Sequence, residues 1–179
     1  FPHIYHFIDN LNTENFSNLK NNVTLIYRNY KAKINIKDLI IFKNFCKKNK
    51  RKFLISNKID LAFKLRLDGV YLPSFNKNYC LKNYHQFNNF FIIGSAHSLK
   101  EIRIKEKQNV QQIFLSPIFK TDKSKKNLGI IKFKNLCNNT KKPVIALGGI
   151  NNRNINLLKL TNTNGFAGIK FFNDKKNTI

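Results

Sequence analysis

Apolar residues in this chain come in short runs of four or five, stopped by glycine, serine, asparagine or proline. The segments between them place apolar residues three or four apart. The clearest runs are Phe91-Ile92-Ile93-Gly94-Ser95-Ala96-His97, Ile113-Phe114-Leu115-Ser116-Pro117-Ile118-Phe119 and Pro143-Val144-Ile145-Ala146-Leu147-Gly148-Gly149-Ile150. A short, uninterrupted apolar run predicts a strand buried on both faces, and the intervening spacing predicts helices that cover such a sheet.

Strands are predicted over residues 3–9, 23–28, 53–56, 69–72, 90–94, 113–115, 144–147 and 165–169. Helices are predicted over 38–49, 59–67, 98–107, 130–137 and 154–160, with a short polar helix or loop between the first two strands. Asp38 is placed as N-cap or first-turn acid, and Ser98 as an N-cap with Glu101 at capping-box spacing. Strand–helix alternation at this spacing predicts an α/β protein, a closed (β/α)8 TIM barrel; an open doubly wound sheet is the alternative. The chain runs only ten residues past the eighth predicted strand, so the eighth helix is expected to be truncated or absent.

With 179 residues, 42% of them hydrophobic, the chain is expected to form a single barrel domain over residues 1–179. No run reaches the roughly 18 apolar residues of a membrane span, and no leader pattern opens the sequence, so a cytoplasmic location is the expectation. Cys46, Cys80 and Cys137 are too scattered for a zinc motif and read as reduced, buried thiols. The formal net charge of +24 is spread over nearly every segment and is carried mostly by lysine. That pattern argues against nucleic-acid readout, which favours a concentrated, arginine-rich stripe, but it favours anionic ligands in any cleft it surrounds.

In a barrel of this kind, chemistry is sought just past the C-terminal ends of the strands. Gly148-Gly149 follows a strand and either cradles a phosphate on backbone N–H groups or makes a tight turn. A side chain at Gly149 is expected to cost phosphate binding more than folding. Residues 116–126 form a loop rich in hydroxyl and ammonium groups, in which Thr121 and Ser124 are candidate donors to a diphosphate and Lys123 and Lys125 supply charge. Ser95 and His97 are further candidate donors, and Arg28 ends the second strand, where its guanidinium would point into the barrel mouth.

Five segments together resemble the thiamine phosphate synthase/TenI family over almost the whole chain. They are the stretch from Phe53 through Ser56-Asn57 to Ala62, Asp68-Gly69-Val70-Tyr71-Leu72, Gly94-Ser95-Ala96-His97-Ser98, Ser116-Pro117-Ile118-Phe119-Lys120-Thr121 and Ala146-Leu147-Gly148-Gly149-Ile150. The resemblance implies a transferase that joins hydroxymethylpyrimidine diphosphate to thiazole phosphate, releasing diphosphate and leaving thiamine phosphate. It implies that Arg28 and Ser95 are catalytic and hold the diphosphate with the loop around Thr121, while Gly148-Gly149 and the turn after the eighth strand hold the thiazole phosphate. Mg2+ is the implied cofactor, and small phosphorylated substrates are the implied partners, with a homo-oligomer as one possible assembly.

The sequence departs from the family where the metal would sit. A glutamine and a lysine of the second strand are replaced by Ile26 and Tyr30, leaving Arg28. Acids after the third and fourth strands are replaced by Asn57 and Asn76, with Phe75 beside the latter. Magnesium prefers carboxylate oxygens and water, so these exchanges weaken its site. No histidine lies near Ser116-Pro117 along the sequence, so synthase is expected over the family's tautomerase branch. The alternative function is a non-catalytic barrel that binds a phosphorylated thiamine precursor or another anionic metabolite.

Overall fold

The computed structural model of the chain describes residues 2–17, 19–31, 33–79, 84, 87, 89–122 and 126–172. Eight parallel strands, β1 (His3–Ile8), β2 (Val23–Tyr27), β3 (Phe53–Ser56), β4 (Gly69–Leu72), β5 (Phe91–Ala96), β6 (Gln112–Leu115), β7 (Val144–Leu147) and β8 (Gly165–Gly168), pair in sequence order. The sheet closes when β8 pairs with β1 in the register Ile4↔Phe166 and Tyr5↔Ala167. Closure removes both sheet edges, which disposes of the open-sheet alternative.

Side-chain alternation splits the buried residues into two sets. Tyr5, Phe7, Ile26, Leu54, Tyr71, Ile93, Phe114, Ile145, Leu147 and Ala167 form the interior of the cylinder. Aromatic rings fill its centre: Tyr5 lies 4.8 Å from Phe114, Phe7 5.0 Å from Tyr71, and Tyr71 5.5 Å from Phe114. Because β1, β4 and β6 are not neighbours in the sheet, these contacts cross the lumen and make it a packed core. The opposite strand faces, with Leu25, Phe53, Ile92, Ile113 and Phe166 among them, pack under the helical layer.

Among the described residues the helical layer comprises α1 (Ile36–Lys48), α2 (Ile59–Lys64), α3 (Leu99–Lys107) and α4 (Gly129–Asn138), with 3-10 helices at Thr13–Phe16 and Ile155–Leu160. Leu39, Phe42 and Cys46 form the buried stripe of α1. Truncating a fully buried residue such as Phe42 to alanine is expected to cost about 3–5 kcal/mol.

Several boundaries differ from the sequence reading. Helix α1 begins two residues early because Asn35 caps it, its side-chain oxygen accepting from the Lys37 N–H; Asp38 is a first-turn acid. The Ser98 side chain does accept from the Glu101 N–H, but the Glu101 carboxylate reaches the His97 N–H instead of completing a box on Ser98. Helix α2 stops at Lys64, and residues 155–160 are 3-10, not α-helical. Strand β5 runs through Ala96 because Ser95 and Ala96 pair with Phe114 and Leu115, so Ser95 belongs to the strand and not to the turn after it.

Cys46 and Cys137 are buried free thiols, and burial pushes each up to about 12. Cys80 and the segment expected to carry a remnant of the eighth helix, 173–179, lie outside the described residues. Among the described residues no helix is long and apolar enough to cross a membrane.

Candidate functional site

Arg28 directly follows β2, and its N–H continues the parallel ladder by donating to the Ile8 carbonyl at 2.8 Å. Two residues beyond inward-facing Ile26, it also faces the barrel axis. Its guanidinium carbon lies 4.6 Å from the centroid of the Phe7 ring, a cation–π contact that seats the positive charge over the aromatic floor. Ser95 is buried on β5. It lies two residues beyond inward-facing Ile93, which pairs with Tyr71 on β4, so its hydroxyl faces the lumen on the strand beside Tyr71. Burial pushes the Tyr71 pKa up to about 12, against the opposing effects of Ser95 and the Arg28 guanidinium. Sequence reading missed Tyr71 because an aromatic residue inside a buried strand carries no mark that separates a floor from a functional hydroxyl.

On the neighbouring strand ends, the Tyr30 hydroxyl and Ser56 Oγ are 2.7 Å apart. The Asn76 side-chain amide donates to Asn57 Oδ1 at 2.7 Å, and Asn57 takes a left-handed backbone with φ of 57°. These are the positions at which the family resemblance places magnesium-holding acids. They carry no negative charge, and one amide oxygen is already committed to the other amide. Among the described residues no group of three or more His, Cys, Asp or Glu side chains could hold a metal ion. The donor set therefore does not fit a magnesium cage.

The loop that carries Asn76 is fastened from behind. Lys105, on α3, is fully buried, and its ammonium donates to the carbonyls of Pro73 and Asn76 at 2.8 Å each and to Gln108 Oε1 at 2.9 Å. Gln108 Nε2 in turn donates to the Asn78 carbonyl at 2.8 Å. Burial lowers the Lys105 pKa to about 8, with Glu101 pulling it partly back. A sequence signal for this clasp did exist: Ile102, Lys105 and Gln108 follow one another at three-residue steps along the buried face of α3.

On the other side of the mouth, residues 117–122 fold over the end of β7. Ile118 N–H donates to the Leu147 carbonyl at 3.0 Å and Phe119 N–H to the Gly148 carbonyl at 3.1 Å. Gly148 and Gly149 have φ of +98° and +69°. A Cβ on Gly148 would stand 2.7 Å from the Pro117 Cβ, and one on Gly149 would stand 2.2 Å from the Lys120 carbonyl oxygen. The pair therefore has a packing reason to be glycine, which bears on the expectation that a side chain at Gly149 would cost folding less than phosphate binding.

Thr121 follows this contact directly, and its neighbour Asp122 pairs with Lys170, just past β8. Thr121 and the Gly148-Gly149 turn thus meet on one side of the mouth, while Arg28, Ser95 and Tyr71 meet over its floor. His97 Nδ1 lies 2.7 Å from the Ser116 carbonyl oxygen, so Nδ1 carries the proton in that contact. Pairing of β5 with β6 thus brings to Ser116 a histidine that is distant in sequence, which corrects the expectation that none lies near it. Lys123, Ser124 and Lys125 lie outside the described residues.

The family profile described as thiamine monophosphate synthase matches residues 10–172. A candidate thiamine-phosphate synthase of Aquifex aeolicus is 36% identical over 129 residues, covering 70% of this chain and 68% of its own length. The thiamine-phosphate synthase of Prochlorococcus marinus (strain AS9601) is 31% identical over 147 residues, which span 80% of this chain but only 40% of that protein. In fold, the thiamine phosphate pyrophosphorylase from Pyrococcus furiosus superposes with a TM-score of 0.76 at 19% identity, over 98% of this chain and 90% of that one. The chain belongs to the thiamine monophosphate synthase family.

Proposed function

We propose that the chain is a thiamine phosphate synthase-like transferase that joins hydroxymethylpyrimidine diphosphate to a thiazole phosphate and releases diphosphate. The observation that carries this reading is that the Arg28 guanidinium and the Tyr71 ring both lie against Phe7, with Ser95 on the same inward face one strand over, in a chain of this family. Departure of diphosphate leaves a pyrimidine carbocation that the thiazole nitrogen captures, so the site's work is to stabilise leaving-group charge and orient two ligands. Arg28 is the charged group suited to the diphosphate, and Ser95 a hydroxyl donor to it. Thr121, the Gly148-Gly149 turn and the basic loop, including Lys123 and Lys125, form the remaining phosphate contacts in this reading.

The test is formation of thiamine phosphate from the two substrates by purified protein, assayed with and without magnesium. Product in either condition, abolished by Arg28→Ala, is the expected result. The absence of product at saturating substrate in both conditions overturns the transferase reading.

A second reading is favoured by the Asn57–Asn76 amide pair: a barrel that retains the phosphate-binding mouth without turnover. It requires tight binding of one phosphorylated precursor in the same assay buffer and no product.

A further inference from the structure

Two large aromatic side chains stand exposed at the mouth. Tyr30 is 56% and Phe75 is 63% exposed, and their rings meet edge to face with centroids 6.0 Å apart. Exposed apolar surface of this kind is unfavourable in water unless something is to cover it. Both rings are held in place. The Tyr30 hydroxyl is tied to Ser56 Oγ, and Phe75 sits on the loop whose carbonyls at Pro73, Asn76 and Asn78 are gripped by buried Lys105 and Gln108.

The pair stands where the charge-binding residues converge. Tyr30 lies two residues beyond Arg28, and its hydroxyl meets Ser56 at the end of β3, the strand that pairs with the one Arg28 follows. Tyr30 also borders a cleft of about 480 Å³ lined by Lys33, Ser56, Asn57 and Lys58.

We propose that Tyr30 and Phe75 form a rigid stacking platform that selects ligands carrying a planar heteroaromatic ring next to an anionic group, with the ring on the aromatic pair and the anion toward Arg28. Only the identification of that ring as the aminopyrimidine rests on the transferase reading. Stacking needs a π-face and an ordered partner, and the Lys105–Gln108 clasp supplies the order before any ligand arrives. At the position of Tyr30 the resemblance leads one to expect a lysine. The platform is therefore a feature of this chain, and it gives affinity through the ring where the metal-binding acids are missing.

The test compares two probes by calorimetry, hydroxymethylpyrimidine diphosphate and inorganic diphosphate, on the whole chain. Wild-type protein is expected to prefer the ring-bearing probe by about tenfold or more, in line with the worth of a stacked base. Phe75→Ala is expected to lose that preference while holding inorganic diphosphate within about twofold, and Phe75→Tyr is expected to restore it. Tyr30→Phe, which keeps the ring but cuts the Ser56 contact, is expected to stay closer to wild type than Tyr30→Ala. Equal losses for both probes, or no loss for either, overturn the platform. Ring preference without thiamine phosphate formation sustains the platform and refutes the transferase; turnover without ring preference does the reverse. Binding of neither probe overturns both.

Discussion

The side-chain amide of Asn76 donates to Asn57 Oδ1 at 2.7 Å, so two positions that the family resemblance assigns to metal-holding acids face each other as neutral amides. Two carboxylates at that separation would repel unless a cation lay between them; two amides bond directly. Thermal unfolding of the wild-type protein is therefore expected to move by less than about 1 °C on adding millimolar magnesium. The Asn57→Asp/Asn76→Asp variant is expected to be less stable without metal and to regain stability with it, by about 2–4 °C for each kcal/mol of binding. A comparable magnesium-dependent rise in the wild type would show that the amides do not decide the matter.

The Arg28 guanidinium carbon lies over the Phe7 ring, 4.6 Å from its centroid, which fixes where its charge is presented. A charge-assisted hydrogen bond of this type is worth about 1.5–3 kcal/mol, so Arg28→Ala is expected to weaken inorganic diphosphate binding about 10- to 100-fold. Arg28→Lys keeps the charge but not the planar, stacked fork, and is expected to recover only part of the loss. Titration calorimetry measures both; unchanged affinity in Arg28→Ala removes Arg28 from the site.

Much of the cylinder could be read from the sequence because a strand buried on both faces leaves an apolar run that little else produces. Ile145, Phe114 and Ile93 each lie in such a run and each reaches the lumen. Helix ends were less legible, since the cap of α1 is Asn35 and the sequence offers Asp38 as an equally good candidate. The placement of Arg28 at a strand end, facing the mouth, was legible. The placement of Tyr71, Tyr30 and Phe75 was not legible, because an aromatic residue has the same local signature whether it fills a core, floors a pocket or stands in solvent. The Gly148-Gly149 pair was visible but ambiguous: only the approach of the Lys120 carbonyl shows what its missing Cβ atoms leave room for.

Lys105 makes a pH-dependent contribution whose sign is fixed by burial. Its folded pKa of about 8 lies below the unfolded value of 10.5, so between those values the unfolded chain binds more protons and stability from this group rises with pH. Tyr5, Tyr71, Cys46 and Cys137 act in the opposite direction, being pushed up to about 12; their contribution is whole below the unfolded values and lost at higher pH. Subtracting the stability profile of Lys105→Met from that of the wild type cancels those common groups. The difference is expected to be flat below about pH 8 and to shift in favour of the wild type from there to about pH 10.5. Parallel profiles across that window would mean that Lys105 is not held as a buried ammonium.

Gly149→Ala tests the turn that joins β7 to the loop above it. At φ of +69° an alanine is strained, at a cost of about 1–3 kcal/mol, and its Cβ would press on the Lys120 carbonyl, which belongs to backbone and has no side-chain freedom with which to yield. The variant is expected to unfold at lower denaturant concentration with an unchanged slope, the mark of lost stability without a change in exposed surface. Because the displaced segment leads straight into Thr121, phosphate affinity is expected to fall along with stability. A variant that keeps wild-type stability but loses inorganic phosphate would instead make Gly149 a binding residue, with its backbone N–H as the group that the new methyl shields.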